Sequence, residues 1–325
     1  MDIQHSDILI IGAGMAGLSC AVRLAAEGRD VRVLDKGRGP GGRMAARRAE
    51  IGGQSVGFDH GAQFFTARDP GFQAAVAAWE GQGAAARWSA AEAQLGDEAW
   101  VGAPGMNGPI RAMAEALNVH WGTRALTLSR SSTGWHVDAG ENAFTANTVL
   151  VTVPAEQASE LLAGAAPDLA VIPAGVVSQP CWAVMAAFEE RLPIEQDAVR
   201  EPDAAIAWAA RNSAKPLRIG SECWVLHASP ARSLEIIDVP KEEAGALLLK
   251  DFADQNGVEI AAPIHIAAHR WLYALPKPVP GSASAKPARF DSAAKIGIAG
   301  DYLHSPRVEG AWLSGTALAE AVIAQ

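Results

Sequence analysis

The sequence contains few of the residues that build disulfide frameworks, metal centres and redox dithiols. Only three of its 325 residues are cysteine, namely Cys20, Cys181 and Cys223. They are odd in number and far apart, and no CxxC pair occurs, so neither a zinc site nor a reactive dithiol is indicated. We therefore expect three reduced, buried thiols, no metal centre and a cytoplasmic location.

Positive charge and long apolar runs are also scarce. The chain has 27 Lys and Arg against 36 Asp and Glu, a formal net charge of −9, which suits nucleic-acid phosphates poorly. The chain begins Met-Asp rather than with a basic leader, and glycines and Arg23 interrupt its early apolar stretches. No stretch reaches the ~18 uncharged apolar residues of a membrane span. We expect neither nucleic-acid binding nor export nor membrane insertion.

What the sequence does contain is a glycine-rich turn between a predicted strand at 7–11 and a predicted helix at 15–27. Gly12 permits a tight turn, Gly14 lets the backbone approach a pyrophosphate, and Gly17 allows helix and strand to pack closely. The positive end of the helix dipole favours phosphate. In this context GxGxxG predicts a dinucleotide site formed by Gly12, Ala13, Gly14, Met15, Ala16 and Gly17.

An acidic residue follows the second predicted strand, at 31–34. Asp35 lies about 20 residues after the first glycine, where a carboxylate commonly binds a ribose hydroxyl. A carboxylate there argues against a 2′-phosphate on the bound cofactor. Asp35 and its neighbour Lys36 therefore join the predicted cofactor-binding residues, although FAD and NAD both use this fingerprint.

Three further segments favour FAD. They are Gly41-Gly42-Arg43-Met44, the run 57–65, and Gly300-Asp301 with the helix start at 307–311. These segments resemble the flavin amine-oxidase superfamily of the glutathione-reductase-like FAD fold, and more closely the bacterial renalase family. The stretches that carry the resemblance also include 61–69, 100–106, 224–228, 269–274, 300–301 and 307–315, so it extends over nearly the whole chain.

The resemblance implies a non-covalent FAD and assigns residues to it. Arg43, with Gly42 and Met44, is expected near the FAD phosphates or the flavin, although a solvated basic loop with Arg47 and Arg48 is the alternative. Gly300 and Asp301 are expected at the pyrophosphate and ribityl chain. The helix that opens at Val308, Glu309, Gly310 and Ala311 is expected to point its N-terminus at the flavin pyrimidine edge, where a positive dipole stabilises negative charge.

The resemblance also implies an activity. Renalases oxidise isomers of NAD(P)H, 2- or 6-dihydro-NAD(P), by hydride transfer to flavin, and dioxygen then yields hydrogen peroxide. A dihydropyridine that loses hydride becomes an aromatic cation, so positioning matters more than a dedicated base. No metal constellation or GxSxG nucleophile motif suggests another chemistry. Candidate substrate-positioning residues are Gln63, Asn212, His269, Arg270 and Trp271, each with a structural role as the alternative.

Other residues and other functions stay open at this point. His60 is a conceivable general base but more typical of a structural residue, Trp182 is a weaker candidate for an aromatic wall, and Arg307 suits either a substrate phosphate or loop support. An amine oxidase or dehydrogenase is one alternative function, although an aromatic cage would need both tyrosines of the chain, Tyr273 and Tyr302. A non-catalytic binding protein is another, against which the intact glycines argue.

The predicted architecture is α/β with two domains. A discontinuous, Rossmann-like FAD-binding domain is expected from 1–70, 105–162 and 286–325. A mixed α+β substrate domain is expected from 71–104 and 163–285. The stretch 276–287, which is rich in Pro, Ser, Ala and Lys, predicts a loop at the domain boundary.

Overall fold

The structure is a computed structural model that describes residues 3–132, 134–278 and 286–325. The chain divides into two compact units. Unit 1 comprises Met1–Gly42, Ile110–Ser178 and Pro276–Gln325, and unit 2 comprises Arg43–Pro109 and Gln179–Leu275.

The helices and strands are numbered here in chain order. The strands are β1 (Ile3–Ile11), β2 (Val31–Leu34), β3 (Arg47–Ile51), β4 (Gln54–Phe58), β5 (Ala85–Arg87), β6 (Trp100–Gly102), β7 (Asn118–His120), β8 (Thr127–Ser131), β9 (Gly134–Ala139), β10 (Asn142–Val151), β11 (Val176–Phe188), β12 (Ala198–Arg200), β13 (Ile206–Arg211), β14 (Glu222–Ala228), β15 (His265–Pro278), β16 (Ala288–Asp291) and β17 (Ile296–Ala299). The helices are α1 (Met15–Ala26), α2 (Pro70–Gly81), α3 (Ser89–Leu95), α4 (Gly108–Ala114), α5 (Ala155–Leu162), α6 (Pro167–Ala174), α7 (Pro230–Glu235), α8 (Lys241–Asn256) and α9 (Val308–Ile323).

Unit 1 is built on a parallel sheet in the strand order β17-β10-β1-β2-β7. Strands β16 and β9 add to it in antiparallel pairs, and β8 pairs with β9. The apolar run of β1 is buried throughout, as a parallel strand covered on both faces should be. Leu9, Ile11 and Val149 contribute to a core that also includes Leu162 of α5.

The two ends of the chain meet in unit 1. Helix α9 packs beside α1, and Gly315 lies so close that a Cβ there would collide with the carbonyl oxygen of Ala16. The hydroxyl of Ser19 donates to the carbonyl of Trp312 at 3.2 Å. The first and last helices therefore belong to one nucleotide-binding unit, as the sequence predicts.

Unit 2 contains a five-stranded sheet in the order β12-β13-β14-β11-β15, with antiparallel pairing from β12 through β11. Side chains of a strand point alternately to its two faces. Val184 and Ala186 of β11 pack with Leu248 of α8 on one face, which we call the helix face. Met185 and Ala187 pack with the β3–β4 hairpin on the other, the hairpin face.

The predicted α/β class, with a Rossmann-like unit and a second mixed unit, is confirmed. The division of the chain differs, because residues 43–70, expected in the FAD-binding domain, lie in unit 2. The reason is the hairpin, since Val56 and Phe58 bury their side chains against the unit 2 sheet. The predicted boundary loop at 276–287 also differs at its start, where β15 continues to Pro278, while residues 279–285 lie outside the described residues.

Helix α9 begins at Val308, where a helix is expected to open from the sequence. The region 84–104 contains the short elements β5, α3 and β6. Within the described ranges, no helix is both long and apolar enough to cross a membrane.

Candidate functional site

The glycine turn of unit 1 has the geometry of a dinucleotide site. Gly12 has a φ of +110°, which other residues rarely adopt. A Cβ at Gly17 would collide with the Gly12 carbonyl oxygen and lie 2.6 Å from Oγ1 of Thr152, so the fold itself requires this glycine. A Cβ at Gly14 would meet no heavy atom within 4 Å, so the backbone there is open to a ligand.

Thr152, which the sequence analysis missed, locks this turn. Its hydroxyl lies 3.0 Å from the carbonyl oxygen of Ile11 and 2.9 Å from that of Gly12. The amide of Gly12 donates to the carbonyl of Leu34 at 2.8 Å, so the turn is held on both sides. The only signal in the sequence is a hydroxyl residue directly after β10, the strand parallel to β1.

Asp35 is fixed by backbone amides. Ala13 donates to Oδ2 at 2.7 Å and Gly37 donates to Oδ1 at 2.6 Å. Each carboxylate oxygen retains a further lone pair that a ribose hydroxyl can use. Lys36 is exposed, and its Nζ donates to Oε1 of Gln157 at 3.0 Å, so its cofactor role stays a prediction.

The predicted cofactor residues near the C-terminus also lie in unit 1. The amide of Gly300 donates to Oγ of Ser314 at 2.8 Å, and Asp301 is buried at the start of a short 3-10 helix. Helix α9 begins at Val308 with no capping side chain from Arg307 and carries Glu309 in its first turn. Gly310 and Ala311 follow in the same turn, and both are buried.

These features fit a dinucleotide. Helix α1 begins with Gly14 as its N-cap and has neither a capping side chain nor an acidic residue in its first turn. Its positive end is therefore available to a phosphate. Met15 and Ala16 occupy that first turn and are buried, so they shape it from the protein side.

The segment Gly42–Met44 forms a short 3-10 helix at the junction between the two units of the chain. Gly42 has a φ of +55°. The Arg43 guanidinium lies 3.4 Å from the carbonyl oxygen of Ala274, and its own carbonyl accepts from the amide of Ala62 at 2.8 Å. Met44 is buried. Arg43 is thus half-buried and contacted within unit 2, and its approach to FAD stays a prediction.

Unit 2 contains a buried group of charges, Asp59, Lys215 and Arg218, which we call the charged cluster. Oδ2 of Asp59 lies 3.2 Å from Nζ of Lys215 and 2.6 Å from the Arg218 guanidinium. Burial alone would raise the pKa of Asp59, but the two cations hold it below its usual value. Burial lowers the pKa of Lys215 to about 8, although the negative charge of Asp59 acts to raise it.

Gln63 is joined to this cluster. Its Oε1 accepts from Nζ of Lys215 at 3.1 Å. Its Nε2 donates to the carbonyl oxygen of Asp59 and, at 3.0 Å, to that of Gly61. Both amide hydrogens and the amide oxygen are therefore engaged within unit 2, which leaves Gln63 poorly suited to meet a substrate carboxamide.

Next to Gln63 lies a second group, His60, His227, His269 and Trp271, which we call the histidine cluster. The His60 ring stacks on Trp271 with centroids 5.1 Å apart and meets His269 edge-on at 5.0 Å. Nε1 of Trp271 donates to the His60 carbonyl at 2.8 Å, and Nε2 of His227 lies 3.3 Å from the same oxygen. Neutral His227 satisfies this oxygen in the tautomer that carries its proton on Nε2, and the same nitrogen lies 3.3 Å from Nε2 of Gln63.

The histidines of this cluster are uncharged at neutral pH. Burial lowers the pKa of His60 to about 4, and His269 and Arg47 act in the same direction. Burial likewise lowers the pKa of His227 to about 4, with a contribution from Lys215. Burial and Arg47 also lower the pKa of His269.

The structure thus brings together three of the five candidate positioning residues, Gln63, His269 and Trp271. Asn212, in contrast, bonds to the backbone: its side chain accepts from the amide of Asp59 at 3.3 Å and donates to the carbonyl of Gly57 at 2.8 Å. Its contacts are those of a structural residue.

Arg270 is separated from His269 and Trp271 because neighbouring residues of β15 face opposite sides of the sheet. Its guanidinium lies 5.7 Å from the ring centroid of Trp182, on the helix face. Trp182 is 1% exposed and donates to the carbonyl of Ile236, so it is a core residue rather than an aromatic wall. Sequence reasoning also missed Lys215 and Arg218, which no motif singles out. It gave no role to His227, although this residue lies in the stretch 224–228 that carries the resemblance.

Comparison with known proteins places this architecture in a family. Residues 10–79 match the model of an NAD(P)-binding Rossmann-like domain, and residues 87–323 match that of flavin-containing amine oxidoreductases. The chain belongs to the flavin-containing amine oxidoreductase family. Members of this family are flavin-dependent oxidoreductases, and the family match, together with the glycine turn, gives FAD as the cofactor.

Two curated proteins are similar to a short part of this chain. Hydroxyneurosporene desaturase of Rubrivivax gelatinosus is 44% identical over 61 residues, which are 19% of this chain and 11% of the desaturase. The zeta-carotene-forming phytoene desaturase of Myxococcus xanthus is 52% identical over 40 residues, 12% of this chain and 8% of that protein. The chain therefore matches only about a tenth of each curated relative.

Solved structures share the fold over the full chain. Wild-type putrescine oxidase bound to putrescine has a TM-score of 0.75 at 15% identity and covers 100% of both chains. Cyclohexylamine oxidase from Brevibacterium oxydans has a TM-score of 0.66 at 13% identity and covers 98% of both. At such identities the likeness establishes the fold alone.

Proposed function

We propose that the protein oxidises an isomeric dihydronicotinamide dinucleotide, 2- or 6-dihydro-NAD(P), by hydride transfer to FAD, with dioxygen as the final acceptor and hydrogen peroxide as product. The observation that supports this choice over an amine substrate is the charge of the histidine cluster. Its histidines are neutral, and the charges that act on them are predominantly positive.

The electrostatic argument begins with Arg47. This exposed guanidinium acts together with burial to lower the pKa of His60, His265 and His269. Lys241 acts on His269 in the same direction. The carboxylate that acts on His60 is Asp59, and the charge of Asp59 is already compensated by Lys215 and Arg218. A cationic amine would be repelled here, whereas an uncharged dihydropyridine with an anionic dinucleotide tail would be tolerated.

The proposed reaction requires the side chains only to bind, to orient the substrate and to exclude water. Bound FAD would supply the hydride acceptor and react with dioxygen to give peroxide. Gly12, Gly14 and the first turn of α1 would hold its pyrophosphate, and Asp35 would accept a ribose hydroxyl. The histidine cluster would orient a flat, neutral ring and exclude water. Loss of hydride converts the dihydropyridine to the aromatic nicotinamide cation with no proton removed, so the absence of a charged base from this cluster is compatible with the reaction.

Oxidation of an amine is the second candidate. It is favoured by the description of the matched family, flavin-containing amine oxidoreductases, and by the names of the structural neighbours. The two tyrosines that an aromatic cage would need are divided between the units, since Tyr273 lies in unit 2 and Tyr302 in unit 1.

A reductive titration separates the two candidates. The FAD-loaded protein is mixed anaerobically with 2-dihydro-NAD(P), 6-dihydro-NAD(P), ordinary NAD(P)H and a set of primary amines, and flavin absorbance is followed. We expect rapid bleaching by an isomeric dihydronicotinamide alone and stoichiometric peroxide when air is admitted. Bleaching by an amine while the isomers remain inert would overturn the proposal and establish the second candidate.

A further inference from the structure

The loop 59–61 holds the histidine cluster rigidly from its backbone. The carbonyls of Asp59 and Gly61 both accept from Nε2 of Gln63. The carbonyl of His60 lies within hydrogen-bonding distance of Trp271 Nε1 and His227 Nε2, and the His60 amide donates to the carbonyl of Phe58 at 3.1 Å. All three carbonyl groups of the loop are engaged by side chains, so the backbone has little freedom to change the direction of the His60 ring.

The His60 imidazole itself has no such partner at Nδ1. Its residue is 6% exposed, and Nδ1 is buried. Nδ1 forms no hydrogen bond with any residue in the described part of the chain. A buried polar group without a partner costs free energy, and proteins retain such groups mainly where a bound molecule or a function accounts for them. The carbonyl groups of this loop are satisfied, so the unmet group here is the His60 ring nitrogen.

We propose that His60 is the residue that hydrogen-bonds the carboxamide of the nicotinamide ring, an inference that rests on the proposed function. One nitrogen of a neutral imidazole can donate to the C=O of a primary carboxamide or accept from its N–H, and Nδ1 of His60 is a buried nitrogen without a partner in the described part of the chain. Gln63 would offer a donor and an acceptor, but its amide is engaged by Lys215 and the loop carbonyls. Trp271, stacked on His60, adds a flat apolar surface beside it.

The geometry also assigns the charged cluster a supporting role. Lys215 donates to the Gln63 oxygen and thereby fixes which end of that amide faces the loop carbonyls. Lys215 and Gln63 are therefore positioning residues that act through the loop, and His60 is the residue that contacts the substrate. A site held in this way retains its geometry before the ligand arrives, which reduces the ordering cost of binding.

The test uses the FAD-loaded protein with two substitutions at one position. His60→Phe retains a flat buried ring and removes both nitrogens, whereas His60→Asn retains one donor and one acceptor. The dissociation constant of the substrate isomer is taken from the concentration dependence of anaerobic flavin reduction, and that of the product NAD+ from calorimetry. We expect His60→Phe to weaken both about 10-fold, with His60→Asn intermediate, while the limiting reduction rate changes less.

His265→Phe is the matched control. His265 is half-buried, whereas His60 is buried. It lies on the same face of β15 as His269 and stacks on the ring of Phe58 with centroids 5.6 Å apart, but it is not part of the histidine cluster. We expect it to bind substrate and NAD+ as the wild type does. FAD affinity and melting temperature, measured on every variant, confirm that folding is intact, and His60→Asn carries the test if His60→Phe does not fold.

The possible failures are distinguishable. If the wild type is reduced by an isomer and His60→Phe binds it equally well, the role of His60 is overturned while the proposed function stands. Equal weakening by His265→Phe also overturns it, because the loss would then be general to this face. If the wild type itself is inert to every isomer, the proposed function fails, and the carboxamide contact fails with it.

Discussion

The glycine turn of unit 1 and the histidine cluster of unit 2 are built in different ways. The turn is shaped by backbone, because Gly12 and Gly17 are required by a positive φ and by a close approach of chain to chain. The histidine cluster is shaped by side chains from three separate segments, represented by His60, His227 and His269. It is held by hydrogen bonds to loop carbonyls rather than by a repeated spacing.

The difference explains why one site is visible in the sequence and the other is not. A backbone site needs glycine at fixed offsets, so its spacing survives as a motif. A side-chain site needs only that distant strands place suitable groups on one face of a sheet. A single added methyl group at a required glycine of the turn should therefore abolish the nucleotide site. A substitution in the side-chain site should reduce stability or binding only by the contribution of the contact that it removes.

The largest expected effect is that of Gly17→Ala. The added methyl would collide with the Gly12 carbonyl and lie 2.6 Å from Thr152 Oγ1, and no flexible side chain can move to relieve the backbone clash. We expect little or no soluble FAD-loaded protein, as judged by expression yield and by the absorbance ratio of flavin to protein.

Gly14→Ala is the matched control for that substitution. Its methyl group meets no protein atom within 4 Å, so the free energy of unfolding of the apoprotein should lie within about 1 kcal/mol of the wild-type value. FAD affinity should nevertheless fall, because the pyrophosphate approaches the backbone at this position. If Gly14→Ala binds FAD normally, the turn does not hold the pyrophosphate as we propose.

The next largest effect is expected for Asp59→Asn in the charged cluster. The substitution leaves two buried cations, Lys215 and Arg218, without their counter-charge, and breaking such a pair costs about 3–5 kcal/mol. Urea denaturation of the two proteins measures the difference. Asp254→Asn removes the partner of Lys250 in an exposed pair and should change the free energy of unfolding by less than about 0.5 kcal/mol. Equal effects at the two positions would contradict the role of burial.

Most of the fold could be predicted from the sequence because the apolar patterns of its strands and of its helices are both strong. The buried run of β1, the glycine turn and the terminal helix α9 each had an unambiguous local pattern. The hairpin β3–β4 was the main difference in domain assignment, since its membership in unit 2 depends on Val56 and Phe58 packing against β11, far along the chain. Local sequence does not encode such a choice of partner.

The candidate site was predicted only in part, for the same physical reason. His269 and Trp271 were singled out with Arg270, but strand alternation directs Arg270 to the opposite face. Strand alternation was available from the sequence and would have separated them. Lys215, in contrast, follows a strand in a segment without a motif. Its contacts with Asp59 and Gln63 join residues that are more than 150 positions apart in the sequence.

A moderate effect is expected from pH acting on the histidine cluster. Because burial lowers the pKa of His60 to about 4 from an unfolded value near 6.5, the unfolded chain binds more protons between those values. This contribution to stability is present above pH 6.5 and is lost as the pH falls towards 4, by at most on the order of 3 kcal/mol. We expect the wild-type melting temperature to drop over this interval, and to drop less steeply for His60→Phe. An identical slope for both proteins would show that His60 is not the group that titrates.

The smallest effect is expected at Thr152, where a side chain supports the backbone site. Thr152→Val retains the shape and removes the hydroxyl that lies 2.9 Å from the Gly12 carbonyl and 3.0 Å from that of Ile11. A net hydrogen bond contributes about 0.5–1.5 kcal/mol, so the dissociation constant of FAD from the apoprotein should rise by up to about 10-fold. Thr152→Ser retains the hydroxyl and should bind FAD nearly as the wild type does, as measured by quenching of flavin fluorescence. If serine weakens FAD binding while valine does not, packing of the methyl group rather than the hydroxyl holds the turn, and the nucleotide site depends on side-chain shape as the histidine cluster does.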